Sequence, residues 1–257
     1  MTLEASLNIT GIAALLIAGL IGGFINTLAG GGSMLTLPAL MMLGMPADVA
    51  NATNRVGVLL QSIAGVKGFR DKGRLDTSAI GPVLIPTLAG ALVGSLFASF
   101  MPVTLLKPTL LVVMVGMALV MLIRPGAVIP PADSVPYKVF EKPTAVLALF
   151  GAGVYGGFVQ AGVGFILIAA LAGGLRYDLV RTNALKMVCT ATFSFVALVV
   201  FVARDQVLWA PGLILAAGMV VGTSLSVKFA ISMPQNTLKW FLFIMVTLTC
   251  VGALLYS

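Results

Sequence analysis

Arg55 and Lys186 have the most scope for chemistry in this 257-residue chain, because each falls inside a long apolar run. A charge at membrane depth is costly and marks a substrate path, a counter-ion or a gate. Arg55 lies seven residues after Asp48, and Lys186 eight after Asp178. At about 1.5 Å of helical rise per residue, both sit roughly 10 Å into their helices. Arginine keeps its charge and presents a planar fork to two oxygens of an oxyanion, whereas lysine adds a point charge. The alternative for either is a side chain that snorkels to an interface or packs under a helix C-terminus.

Polar neighbours at helical spacing support the first option. Asn51, Asn54, Arg55, Gln61 and Ser62 fall near one side of their segment, with Thr53 beside them. Asn183, Lys186, Thr190 and Ser194 make a similar stripe, preceded by Thr182. Such amides and hydroxyls either hydrogen-bond an oxyanion or glue helices together. Gly30-Gly31-Gly32-Ser33 bends the chain before a half-length apolar segment, and Gly162-Val163-Gly164 repeats the bend. Helix N-termini attract anions, and glycine lets backbone approach a ligand closely. Gln160, which aligns with Asn26, is a further donor. A tight hairpin without a ligand is the competing reading of these bends. The predicted substrate site therefore comprises Gly30, Gly31, Gly32, Ser33, Asn51, Thr53, Asn54 and Arg55. Its other half is Gln160, Gly162, Gly164, Thr182, Asn183 and Lys186.

Asp48 and Asp178 read as N-caps. No Asp or Glu lies deep in an apolar run, so no carboxylate proton relay is expected. Coupling to the membrane potential, to an ion held by carbonyls, or to titration of Lys186 stays open. The chain has no histidine, which removes Ser-His pairs, HExxH zinc sites and haem-ligating His. Its two cysteines, Cys189 and Cys250, sit in apolar runs and read as small hydrophobes. No metal or cofactor is expected, and no enzyme.

The elements that carry these residues are membrane helices. Hydrophobic residues make up 60% and charged residues 9%, with a mean hydropathy of +1.12. Soluble domains carry roughly 25% charged residues. The apolar runs are continuous rather than alternating, which excludes an outer-membrane barrel. Ten segments emerge: Ile9–Leu28, Ser33–Met45, Val49–Phe69, Ile80–Phe100, Leu105–Ile123, Ala145–Gln160, Gly164–Leu175, Leu179–Ala203, Ala210–Ile231 and Leu238–Tyr256. A span needs about 20 residues, so the second and seventh are too short for a full crossing and read as tilted, re-entrant or half-helices. The first segment, without a basic flank, is not expected to be a cleavable signal. Pro38, Pro82, Pro86 and Pro211 can kink or start helices. Trp209, Trp240, Tyr137 and Tyr256 read as interface anchors.

Two halves resemble each other. Gly22-Gly23-Phe24-Ile25-Asn26 matches Gly156-Gly157-Phe158-Val159-Gln160, and Thr53-Asn54 matches Thr182-Asn183. Arg70-Asp71 matches Arg204-Asp205, Gly90-x3-Gly94 matches Gly218-x3-Gly222, and Pro102 with Lys107 matches Pro234 with Lys239. The common order indicates duplication. Residues 1–123 and 144–257 are the predicted transmembrane repeats, joined by a polar, proline-rich linker at 124–143. The Gly-x3-Gly pairs read as close helix packing. Five crossings per half invert the second repeat. The basic stretch Lys67, Arg70, Lys72 and Arg74 is then cytoplasmic together with the linker, and both termini are outside. Re-entrant short segments would instead give four crossings per half.

Gly22-Gly23-Phe24 running into Ala29-Gly30-Gly31-Gly32-Ser33, then Leu37-Pro38-Ala39-Leu40 and Ala50-Asn51-Ala52-Thr53-Asn54, resembles the TauE/SafE family of sulfite exporters and toluene-sulfonate uptake permeases. The resemblance extends over essentially the whole chain. It implies a bacterial or archaeal inner-membrane carrier of sulfur oxyanions or organosulfonates such as sulfite and sulfoacetate. The expectation is an alternating-access exporter with a midplane anion site, whose partners are its small anion and the lipid bilayer, not nucleic acid. An anion channel of the same substrate class and a non-transporting membrane subunit remain alternatives. So does a homodimer through a Gly-rich helix face.

Overall fold

The computed structural model describes residues 8–102, 104–106, 108, 109, 112, 135–234 and 237. All regular structure among them is helical. The predicted segments Leu105–Ile123 and Leu238–Tyr256, most of the linker, Trp240, Tyr256, Cys250, Lys107 and Lys239 lie wholly or largely outside the described residues.

The first half contributes α1 (Ile9–Leu28), the short α2 (Ser33–Met42), α3 (Ala47–Asp71) and α4 (Ile80–Phe100). The second contributes α5 (Pro143–Phe158), α6 (Val163–Ile168), α7 (Leu179–Val202) and α8 (Trp209–Ser232). Starts follow local chemistry. Asn8 caps α1 by accepting from the Gly11 N–H at 2.8 Å, and Pro143 opens α5, where its missing N–H has no cost. Pro82 and Pro211 fall in first turns for the same reason, whereas Pro38 and Pro86 sit inside α2 and α4. The predicted segment Ser33–Met45 stops at Met42, because Gly44 turns at φ +87° and Pro46 follows. After α6 the chain widens into a π turn over Ala169–Gly174.

The two predicted aspartate caps differ. Asp178 caps α7, accepting from the N–H groups of Val180 and Arg181 at 3.0 and 2.9 Å. Asp48 does not cap α3. Pro46 holds the cap position at ψ 152° and the helix begins at Ala47, which leaves Asp48 in the first turn with a buried, unpaired Oδ1. Asp178→Ala is therefore expected to cost about 1 kcal/mol, a typical cap value. Asp48→Ala should cost less than that, both read as melting-temperature shifts in detergent.

Among the described residues, four helical stretches are long and apolar enough to cross a membrane: Ile9–Leu28, Thr77–Phe100, Leu179–Val202 and Trp209–Ser232. The 25-residue α3 is long enough but too polar. Its polar residues turn inward: Asn51, Asn54, Arg55, Gln61 and Ser62 are each no more than 1% exposed. Exposed Leu, Ile, Val and Phe cover the outside, notably Leu88, Leu92, Phe97 and Phe100 on α4. That inside-out distribution suits a lipid solvent.

Glycine contacts fix how the helices pair. Without a side chain, Gly19 and Gly23 rest on the backbone at Leu215 and Met219, and Gly218 and Gly222 rest on Leu16 and Leu20. In the other pair, Gly153 and Gly157 rest on Thr87 and Ala91, and Gly90 and Gly94 rest on Phe150 and Val154. The second set repeats the first with one constant offset in each helix. The Gly-x3-Gly pairs thus serve close packing, as small residues do between membrane helices. Residue numbers rise together in both sets, so α1 runs with α8 and α4 with α5. Gly57, Gly65 and Gly68 meet Leu215, Thr223 and Val227, so α3 also runs with α8. Arg55 reaches Phe201 while Gly65 meets Met187, so α7 runs against α3. Ala79, Val83 and Ala91 cluster with Leu185, Cys189 and Phe193, and Ala98 with Ala197 and Phe201, so α4, and with it α5, runs with α7. Hence α1, α3 and α8 point one way and α4, α5 and α7 the other.

Basic connections gather at one end. The Tyr137 N–H donates to the Leu175 carbonyl at 3.0 Å, and Lys142 and Arg176 lie 4.2 and 4.8 Å from the Tyr137 ring. Leu75, Tyr137 and Tyr177 share one apolar cluster there. Burial first, and then Asp76, holds the Tyr177 phenol above its ordinary value.

Candidate functional site

The chain breaks after α1 and after α5, and the two breaks touch. Gly30 turns at φ +90°, and a Cβ on it would overlap the Gly164 backbone; a Cβ on Gly164 would overlap Gly30 Cα. Only glycine permits this approach. Gln160 and Gly162 take φ +68° and +78° to make the second break. Gly32 packs in turn on the Gly22 carbonyl.

A cation caps each helix that ends here. Arg55, fully buried on α3, donates to the carbonyls of Gly156, Gly157 (3.1 Å) and Phe158 (3.3 Å), the last turn of α5. Asn51 donates to the Phe158 carbonyl at 3.0 Å, and its Oδ1 accepts from Arg55 at 3.5 Å. The guanidinium lies 5.7 Å from the Phe201 ring centroid. Lys186, fully buried on α7, donates to the Thr27 carbonyl in the last turn of α1 at 2.7 Å, and to Asn183 Oδ1 at 2.8 Å. Cations are favoured at helix C-termini, where carbonyls lack intrahelical partners and the dipole is negative. Each half therefore caps the first helix of the other half. By role Asn51, rather than the sequence-matched Asn54, is the counterpart of Asn183.

The remaining predicted residues divide. Asn54 accepts from Thr36 Oγ1 at 2.7 Å and donates to Ser33 Oγ at 3.3 Å, tying α3 to the start of α2. Gln160 donates to Ser194 at 2.9 Å. Thr53 turns away and accepts from the Leu208 N–H at 3.0 Å, where α8 begins. Thr182 makes a local bond to the Tyr177 carbonyl. The row of free N–H groups expected at the bends is partly consumed. Met34 donates to Gly31, Leu35 and Thr36 donate to Gly32, Val163 to Gln160, and Phe165 to Gly162. Tight turns at a helix start use these donors locally.

Side-chain donors are what stay open. Arg55 Nε, Gln61 Nε2, Asn183 Nδ2 and the Ser62 hydroxyl are buried without a partner, as is the acceptor Gln160 Oε1. Buried polar atoms are ordinarily paired, so such a group of orphans calls for an explanation. Residue spacing missed Thr27 and Thr223. Thr27 Oγ1 donates to Thr223 Oγ1 at 3.0 Å, and Thr223 Oγ1 to Gln61 Oε1 at 3.1 Å, which joins α1, α8 and α3 beside Lys186. Thr27 follows Asn26 in the repeated motif, and that adjacency was its available signal. Arg181–Asp178 and Lys138–Glu141 are ion pairs on exposed side chains, remote in kind from the buried cations.

The family model described as sulfite exporter TauE/SafE matches residues 15–253. A probable membrane transporter protein of Haemophilus influenzae is 27% identical over 240 residues, covering 91% of each chain. The probable membrane transporter protein YfcA of Escherichia coli K12 is 25% identical over 228 residues, 89% of this chain and 84% of its own. The probable membrane transporter protein ORF9 of a Sinorhizobium species is 27% identical over 230 residues, 89% and 86% respectively. No solved structure matches.

Proposed function

The chain belongs to the sulfite exporter TauE/SafE family of membrane transporters, and from that premise we propose that it carries a small sulfur oxyanion or organosulfonate, sulfite or a sulfoacetate-like compound, out of the cell. It is a multi-pass membrane protein, and its proposed place is the bacterial or archaeal cytoplasmic membrane. The observation that carries the substrate class is the pair of buried cations, Arg55 and Lys186, with unpaired N–H donors beside them and no buried Asp or Glu among the described residues.

We infer that residues 1–123 and 144–257 are inverted five-segment repeats. The opposite directions of α1 and α5, and of α3 and α7, support this, as do the duplicated glycine contacts. The gathering of the Tyr137, Lys142 and Arg176 region with Leu75 supports a cytoplasmic linker at the basic end. The touching breaks at Gly30 and Gly164 then form the midplane site around which access alternates. The membrane potential drives exit, because moving one charge is worth about 2.3 kcal/mol per 100 mV.

The test is uptake of labelled sulfite and a short sulfonate into proteoliposomes, with and without an imposed potential. Saturable, potential-dependent flux accelerated by the same anion on the far side is the expected result. Flux without such exchange acceleration would indicate a channel, and absence of flux for both anions would sink the substrate class.

A further inference from the structure

Lys186 Nζ meets only neutral acceptors, the Thr27 carbonyl at 2.7 Å and Asn183 Oδ1 at 2.8 Å. An ammonium has three N–H groups, so one is left over. Two buried amides close by are underused as well. Asn183 Nδ2 and Gln61 Nε2 have no partner, although Asn183 is 1% exposed and Gln61 0%. The contacts hold these groups in one corner between α1, α3, α7 and α8. Thr27, whose carbonyl Lys186 grips, has its Oγ1 3.0 Å from Thr223 Oγ1, and Thr223 donates to Gln61 Oε1 at 3.1 Å. One turn further along α3, Gly65 packs on both Thr223 and Met187, the chain neighbour of Lys186.

The direction of the Thr223 bond matters. A primary amide has an acceptor at one end and two N–H donors at the other. The Thr223 hydroxyl occupies Oε1, so Nε2 is the end of Gln61 that stays open. Every unused group named in this corner is then a donor. Such a set suits a ligand group with several acceptor oxygens and no proton of its own, and the head shared by sulfite and sulfonates presents three oxygens. Leaving so many buried donors unpaired is costly without a ligand to meet them.

We propose that this corner holds the oxyanion head of the transported anion. Gln61 Nε2, Asn183 Nδ2 and Lys186 Nζ each donate to one of its oxygens. Thr223 is a positioning residue: it does not touch the anion and acts by keeping Gln61 in its donor orientation. The inference deepens the transport reading and rests on it.

The test is concentration-dependent uptake of labelled sulfite and methanesulfonate into proteoliposomes. Gln61→Met removes one donor to a charged ligand and should raise KM about tenfold. Thr223→Val keeps the side chain's shape without the hydroxyl and should raise KM by a similar factor, whereas Thr223→Ser should restore it. In the Gln61→Met background, Thr223→Val should add no further rise, because both changes act on one bond. Wild-type KM in folded Gln61→Met overturns the assignment. Effects that multiply in the double variant overturn the positioning role, as does a Thr223→Val that lowers melting temperature with KM unchanged. All of these results leave the transport reading standing. If neither anion moves in the wild type, that reading and this inference fall together. If Gln61→Met does not fold, Thr223→Val against Thr223→Ser still decides.

Discussion

Gly164→Ala should give little or no folded protein. The new Cβ would overlap Gly30 Cα, and the obstacle is backbone, which has no rotamer to shift. Overpacking a core with side chains alone costs typically 1–3 kcal/mol. Here the two chain breaks themselves would have to separate, and α1, α2, α5 and α6 all end or begin at them. Gly30→Ala meets the same overlap and adds a left-handed φ of +90°. Gly44→Ala is the control. It has a nearly identical φ, +87°, with nothing within 4 Å of the added carbon. Its cost should be the conformational strain alone, about 1–3 kcal/mol. The measurement is monodisperse yield by size-exclusion chromatography, with melting temperature for whatever survives. Equal behaviour of Gly164→Ala and Gly44→Ala would mean that the central contact is soft and does not organise the site.

Arg55→Ala should lose both stability and transport. The Gly156 and Gly157 carbonyls and Asn51 Oδ1 lose their donor in one step, while the Phe158 carbonyl keeps only the Asn51 amide. Each buried acceptor left unsatisfied costs about 1–3 kcal/mol, so the total is several kcal/mol. On the proposed role of Arg55 as a charge partner of the anion, flux should also fall by about two orders of magnitude. Arg55→Lys keeps the charge, but its compact ammonium lacks the two-nitrogen fork that spans the Gly156, Gly157 and Phe158 carbonyls, so it should fold better than alanine and transport poorly. Lys186→Arg is the informative reverse: the charge persists, but the planar fork is bulkier than the ammonium that fits between Thr27 and Asn183. Wild-type flux and melting temperature in Arg55→Ala would remove Arg55 from both roles.

Much of this was legible from residue order. The apolar runs announced helices, and their bounds held to within a few residues for α1, α4, α7 and α8, because lipid demands about 20 apolar residues per crossing. The duplicated Gly-Gly-Phe and Gly-x3-Gly motifs announced two matching sets of glycine contacts, since close backbone approach needs glycine at fixed spacing. Arg55 and Lys186 stood out because charge inside an apolar run is costly wherever it points.

What residue order left undecided was where those side chains end. The open choice at Arg55 and Lys186 lay between a ligand for an anion and a cap under a helix C-terminus. Only the tertiary structure could say that each reaches the opposite half, since Gly156 and Thr27 are 101 and 159 residues away in the chain. The same holds for Thr53, which spacing placed in the site and packing turned toward Leu208. Asp48 lost its cap role to a proline two residues earlier, a local contest settled by backbone angles rather than by residue preference. Sequence determines which groups are too polar for lipid. Three-dimensional packing decides which partner satisfies each of them, because hydrogen bonds of this kind depend on direction and proximity between segments that are distant along the chain.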